Sequence, residues 1–474
     1  MDRTGNRGLD LKTLGIIFAL AWPTMLEQFL LTAVQYIDTA MVGSLGTTAT
    51  AAVGATSTVN WLINGTLSGL SVGFLAYIAQ ALGAGEGDRA RRAAAQSVLV
   101  TGAAGVFLTA VMTGFSPLIP AWMQTDAAIR PLAARYFLIL SVPLLPRAAS
   151  QIFGNVLRAA GDTKTPLLIS IFINLLNIVL NYFLIYPTRD VTVFERTVRM
   201  PGAGLGVEGA AVASAIAFTA GGIAVTAALF RHKTVSPRGE SFRPDGDILE
   251  KTFRVAGPNI LQRVATSSGY VVFASMINAL GGVATAAHTI ANTVESAFYI
   301  PGWGMQTAAA TLAGNAVGAR DREALRRLSR MIVFLEIGLM LVSGSTLFAF
   351  AGVLMRLFSA DEAVIALGTT VLRMVAVSEP FYGVPIVLEG IMQGCGKTKV
   401  PLVFNLIGMW GVRILGTFLF TVVLPYGLVA AWGCMIGHNM LLFVLFTAYY
   451  CIRGNDVGDA LGASCKKPPD PQKP

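Results

Sequence analysis

Few residues in this chain are equipped to do chemistry, and the most conspicuous of them lie inside apolar runs. Asp38 stands in Val34 to Gly43 (VQYIDTAMVG), with Glu27, Leu31 and Gln35 stacked below it at helical spacing. An acid placed within a membrane helix costs about 2.5 to 3.5 kcal/mol on insertion scales, and as a rule it faces a cavity. There it either exchanges a proton or cation with water, or merely lines a wet vestibule. On a later segment Asn174, Asn177 and Asn181 recur every three to four residues, so a helix gathers them into one polar stripe. Such carboxamides offer oxygen ligands to Na+ or hydrogen bonds to Asp38; as plain interhelical glue each bond would contribute about 0.6 to 2 kcal/mol.

The other acids in apolar surroundings are Glu295, Glu336, Glu379 and Glu389. Glu295 precedes the kink signal Pro301 to Gly304 and Glu379 directly precedes Pro380, so either is placed to line a cavity. Ion pairing of Glu295 or Glu389 with Arg263 or Arg413 is the structural alternative. Other chemistries find no support. Gly390 to Thr398 imitates a phosphate-binding loop but has five residues between Gly390 and Gly396 where the motif needs four. The three histidines form no HExxH, and Cys395, Cys434, Cys451 and Cys465 form no CxxC pair. No nucleophile with its base and no metal set is visible, so the chain is read as no enzyme, without a cofactor or bound metal.

The elements that must position these residues are membrane helices. Of 474 residues 54% are hydrophobic and 13% charged, with a mean hydropathy of +0.64. A soluble domain carries about a quarter charged residues, so this chain cannot coat itself for water. A ruler of about 20 apolar residues per crossing marks twelve spans: 14–44, 51–82, 95–121, 131–157, 166–187, 205–230, 255–280, 285–317, 331–357, 364–393, 401–424 and 427–450. Fifty glycines and 21 prolines suit helices that pack closely and bend. Gly65, Gly69 and Gly73, for example, make a small-residue stripe on the second span.

Basic residues orient the spans. With the N-terminus inside, 25 of the 35 lysines and arginines fall on inner segments and seven on outer ones, while Arg147, Arg263 and Arg413 lie within spans. Both termini are therefore expected in the cytoplasm. The net charge of +9 serves topology here, because the basic residues come in short runs between apolar segments and leave no patch for nucleic acid.

The chain also repeats itself. At a constant offset of 235 residues Pro23 meets Pro258, Leu45 and Gly46 meet Leu280 and Gly281, and Gly161 to Leu167 meets Gly396 to Leu402. After the fifth span the offset becomes 221, which leaves about 14 extra residues in the outer loop from Pro187 to Gly204. Six spans per half put both halves in one orientation, a parallel repeat. The expected organisation is an N-terminal tail (1–12), an N-lobe (13–230), a cytoplasmic linker (231–254), a C-lobe (255–450) and a C-terminal tail (451–474).

These motifs together resemble the multidrug and toxic compound extrusion (MATE) family of cation-coupled exporters. The resemblance is carried by Val34 to Gly46, Gln80 to Gly85, Leu157 to Thr163, His288 with Ala286 and Ala287, the run Glu295 to Ala319, and Gln393 to Gly396. It implies an all-α polytopic fold, twelve helices in two six-helix lobes, V-shaped around a central cavity. It implies a cation site of Asp38, Asn177, Asn181 and Ser214, with Asn181 standing where many members carry an acid. Family members with a second site have acids where this chain has Thr266 and Tyr382, so coupling is expected to run through the first half, by H+ in preference to Na+. Gln35, Asn174, Glu295, Glu379 and Tyr382 are the candidate cavity residues. The implied activity is antiport of amphipathic, often cationic, drugs by a monomer in the bacterial inner membrane, with no nucleic-acid partner. A flippase for a lipid-linked saccharide and an ion channel are the alternatives.

Overall fold

The computed structural model describes residues 11–123, 125–193 and 196–453, and for 191–198 nothing beyond backbone. The tails 1–10 and 454–474, with Arg3, Arg7, Lys466, Lys467, Lys473 and Cys465, lie outside the described residues. A bilayer offers no water to an unpaired amide, so the backbone satisfies itself in helices. In chain order these are α1 (Leu11–Gly43), α2 (Thr47–Gly83), α3 (Gly87–Phe115), α4 in two pieces (Arg130–Ser141 and Leu144–Ala159), α5 (Lys164–Ile185), α6 (Gly206–Arg231), α7 (Gly246–Asn278), α8 (Gly282–Gly318), α9 (Arg322–Phe358), α10 (Glu362–Gly394), α11 (Lys399–Val423) and α12 (Gly427–Arg453). Among the described residues nine of these are apolar and long enough to cross a membrane alone, and α4 does so as a pair bent by 49°. The bend falls at Pro143, which has no amide to continue the ladder. The remaining two, α7 and α8, carry more polar residues.

Three departures from the sequence expectation have physical causes. The third helix begins at Gly87, eight residues before the expected 95, because its first turns are an amphipathic extension bearing Arg89, Arg91 and Arg92. The seventh begins at Gly246, so the last part of the expected linker is helical. The extra residues between α5 and α6 form an antiparallel hairpin, β1 (Pro187–Val193) with β2 (Arg196–Ala203), the one pair of strands among the described residues. Alternating Val and Thr in a loop outside the hydrocarbon favour extended pairing.

The described residues fall into two compact units. One contains Leu26–Phe74 and Gly87–Ala256; the other contains Met1–Met25, Leu75–Glu86 and Gly257–Pro474. In the second unit α2 and α8 cross at glycines. A methyl group on Gly83 would run into the Asn315 carbonyl, and one on Gly318 into the Gln80 carbonyl. These two pairs are related by the 235-residue repeat. Close backbone approach of this kind replaces the hydrophobic drive that lipid cannot supply.

The same repeat exposes a local strain. Helix α2 ends with Gly85 in the left-handed region at φ +75°, its amide on the Leu82 carbonyl at 3.0 Å and the Glu86 amide on that of Ala81 at 2.9 Å. Helix α8 ends in the same way, with Arg320 and Asp321 on Val317 and Ala316, but the left-handed residue is Arg320 at φ 57°. Its Cβ crowds the following carbonyl at a cost of about 1 to 2 kcal/mol. Arg320→Gly should therefore raise the thermal midpoint of the purified protein, by about 1 kcal/mol in stability; an unchanged or lower midpoint would show that the Arg320 side chain offsets the strain.

Candidate ion-coupling site

Helix α5 is an inside-out amphipathic helix. Leu168, Phe172, Leu175, Val179 and Phe183 form one face exposed at the molecular surface, where lipid chains lie. Asn174, Asn177 and Asn181 occupy the opposite face and are buried, at 6%, 5% and 1% exposure. That face turns toward α6 and the C-terminal half of α1, within one compact unit.

There the polar groups meet. Asn181 Nδ2 donates to Asp38 Oδ1 at 2.5 Å. With its nitrogen turned to the acid, the Asn177 carboxamide donates to Asp38 Oδ1 at 2.8 Å and Oδ2 at 3.3 Å and its oxygen accepts from Ser214 Oγ at 3.0 Å, at the loss of the bond that its oxygen otherwise accepts from Asn181 Nδ2 at 3.2 Å. In the opposite rotamer its nitrogen donates to Ser214 Oγ at 3.0 Å and its oxygen faces the Asp38 carboxyl. The first arrangement suits an ionised Asp38, the second a protonated one, which can itself donate. Protonation at Asp38 is thus linked to the orientation of Asn177 and of the Ser214 hydroxyl. All four expected coupling residues come together, Asp38 half-buried among them.

The equivalent place in the second half is apolar. The repeat sets Phe273 against Asp38, Val412 against Asn177, Gly416 against Asn181 and, at the shorter offset, Met435 against Ser214. Phe273 and Met435 belong to a buried hydrophobic core with Met409, the counterpart of Asn174. Helix α11, the partner of α5, winds as a π-helix over Ile407–Ile414 and Phe418–Val423.

The cavity candidates separate. Gln35 is exposed and the Asn174 amide nitrogen has no hydrogen-bond partner, both in the unit that holds Asp38. Glu295, Glu379 and Tyr382 lie in the other unit and do come together: Tyr382 is within electrostatic reach of both acids and packs edge-on against Tyr299 at 5.5 Å. Tyr299 in turn packs on Trp303 at 5.4 Å. Neither Glu295 nor Glu389 makes a close ion pair among the described residues. Glu389 accepts from the amides of Gln262, Gln393 and Asn405 at 3.1, 3.0 and 3.2 Å. Arg413 lies over the rings of Phe273 and Tyr270 at 4.2 and 4.8 Å, with Glu295 in electrostatic reach.

Two arrangements escaped the reading of the sequence. Glu336 is fully buried with neither carboxylate oxygen hydrogen-bonded, in a notch where a methyl group on Gly302 or Gly383 would meet its Oε1. The acid was legible, but the notch joins glycines from α8 and α10. Glu27, noted as one more acid below Asp38, is gripped by Arg158, whose Nη2 lies 2.6 Å from both carboxylate oxygens. Arg158 Nη1 also donates to Asn155 Oδ1 at 2.7 Å.

Known proteins share the fold and its repeat. The MatE family model matches twice, over residues 23–183 and 258–419, and the two matches begin 235 residues apart, as the internal repeat does. A probable multidrug resistance protein NorM of Thermotoga maritima is 28% identical over 420 residues, 89% of this chain and 88% of that protein. A probable multidrug resistance protein YpnP of Bacillus subtilis is 29% identical over 430 residues, 88% of this chain and 89% of its own. Among solved structures, a MOP superfamily transporter from Pyrococcus furiosus superimposes with a TM-score of 0.86 at 23% identity, covering 94% of this chain and 96% of that one. An outward-facing multidrug resistance MATE family transporter gives 0.86 at 23% identity over 93% and 96%. With both halves matched by one family model, the chain belongs to the MatE family and is a multi-pass membrane transporter, not an enzyme.

Proposed function

We propose that this chain is a proton-coupled antiporter that exports amphipathic organic compounds, drugs among them, by alternating access from the cytoplasmic side of a bacterial inner membrane, with both termini in the cytoplasm. The observation that carries the proton is the direction of the amides. Asn181 turns an N–H group toward Asp38, and Asn177 does so in one of its two orientations, which solvates a carboxylate; a Na+ cage needs carbonyl oxygens turned inward instead. The apolar residues at the equivalent place in the second half leave the coupling to the first. A positive charge moving inward at 100 mV contributes about 2.3 kcal/mol, enough for a concentration ratio of about fifty. The export of drugs follows the names borne by relatives of similar length. The halves of the repeat act as the two lobes, in a monomer.

Dye export from inverted vesicles tests this, with a pH gradient and a Na+ gradient imposed separately. Export should follow the pH gradient alone. Ion current independent of dye would identify a channel instead, and a Na+ requirement would overturn the proton reading. Asn181→Asp adds carboxylate oxygens beside Asp38 and should make export answer to a Na+ gradient at uniform pH, about tenfold above the wild type, a gain of about 1.4 kcal/mol in ion binding. If that variant stays indifferent to Na+, the amide is not what excludes the metal ion.

A further inference from the structure

Three arginines lie within the expected spans, and of these Arg147 alone shares a compact unit with Asp38. Arg413 is buried, stacked on two rings, and has Glu295 in electrostatic reach. Arg263, like Arg413, has its Nε sealed from solvent. Arg147, on the second piece of α4, is half-buried. Its Nη1 donates one long bond to Asn60 Oδ1 of α2, at 3.4 Å, and its guanidinium lies over the Phe218 ring of α6 at 5.1 Å. No carboxylate pairs with it among the described residues, and its Nε and Nη2 make no hydrogen bond and are not fully sealed within the protein.

A cation of this kind inside a membrane protein is costly and normally has a partner. One long amide bond and one aromatic face do not neutralise a guanidinium, and two adjacent donors of a planar fork are left pointing at nothing in the chain. That fork matches a carboxylate, which it binds through two parallel hydrogen bonds. The surroundings also define the other end of a ligand. The Tyr136 phenol is within electrostatic reach of both Arg147 and Asp38, so one compact unit holds a cation and an acid near the same tyrosine.

We infer that Arg147 receives an anionic group of the transported compound, a carboxylate, so that the chain takes zwitterionic amphipaths and not organic cations alone. The inference rests on the export reading above and names its substrate class. Asn60 holds the guanidinium and Phe218 provides the apolar surface against which an aromatic body lies, leaving Nε and Nη2 for the ligand.

A rhodamine with a free carboxyl group and its methyl ester make the test, since they differ only in whether the carboxylate exists. The full chain in proteoliposomes, driven by a pH gradient, should export the zwitterion with a KM about tenfold below that of the ester. Arg147→Gln should raise the KM for the zwitterion about tenfold and leave the ester within twofold, and Arg147→Lys, which keeps the charge without the fork, should fall between. Equal KM values in the wild type, export of the ester alone, or a loss that is the same for both dyes in Arg147→Gln would overturn the assignment. If Arg147→Gln does not assemble, the wild-type KM ratio decides. Export of neither dye would instead sink the export reading itself, and this inference with it.

Discussion

Asp38→Asn is expected to abolish gradient-driven export while leaving the amount of protein in the membrane unchanged. The substitution keeps the shape of the side chain and replaces an acceptor that Asn177 and Asn181 share with an amide that can bind no proton at working pH. It cannot exchange a charge with the outside, so the coupling of about 2.3 kcal/mol per charge per 100 mV disappears. Export should drop to the level of vesicles without the protein, while binding of dye to the purified protein persists. Wild-type export by Asp38→Asn would remove Asp38 from the coupling step. Asp38→Glu retains the carboxyl one methylene further out and should recover part of the rate.

The second large effect is on stability. Glu27 and Arg158 join α1 to α4 with side chains only 9% and 13% exposed. Arg158→Leu leaves a buried carboxylate without its partner, which typically costs about 3 to 5 kcal/mol, and should lower the thermal midpoint strongly. Removing both charges should be far milder, because a buried pair hardly repays its own desolvation. The molecule supplies its own precedent: at the positions that the repeat equates with Glu27 and Arg158 stand Gln262 and Gln393, which meet as neutral amides around Glu389. Glu27→Gln combined with Arg158→Gln should therefore recover most of what Arg158→Leu loses in thermal unfolding. If the double substitution is as damaging as the single one, the pair contributes net stability and the desolvation argument fails here.

That precedent shows how far a repeat can be trusted. The backbone plan is shared, down to the left-handed helix ends at Gly85 and Arg320. The side chains at matched positions have diverged, with Asp38 answered by Phe273 and Ser214 by Met435, so the second half does not repeat this polar cluster.

The sequence alone determined the number of helical traverses, the repeat and the face of α5 that carries Asn174, Asn177 and Asn181, because hydrocarbon thickness and the 3.6-residue turn leave little freedom in those features. It also singled out Asp38 by the cost of its position. Ser214 it reached only through family resemblance, since a serine in an apolar helix has no period to betray it. Tertiary structure alone decided which partners the charges have. Glu389 turned out to be held by three amides, Glu27 by Arg158, and Glu336 by the space of two glycines on other helices. It alone, too, put Arg147 in one compact unit with Asp38 and left Arg263 and Arg413 in the other. The reason is physical: burial in a bilayer depends on the local run of residues, whereas the cost of a charge depends on atoms within a few ångströms, and those come from helices distant in the chain.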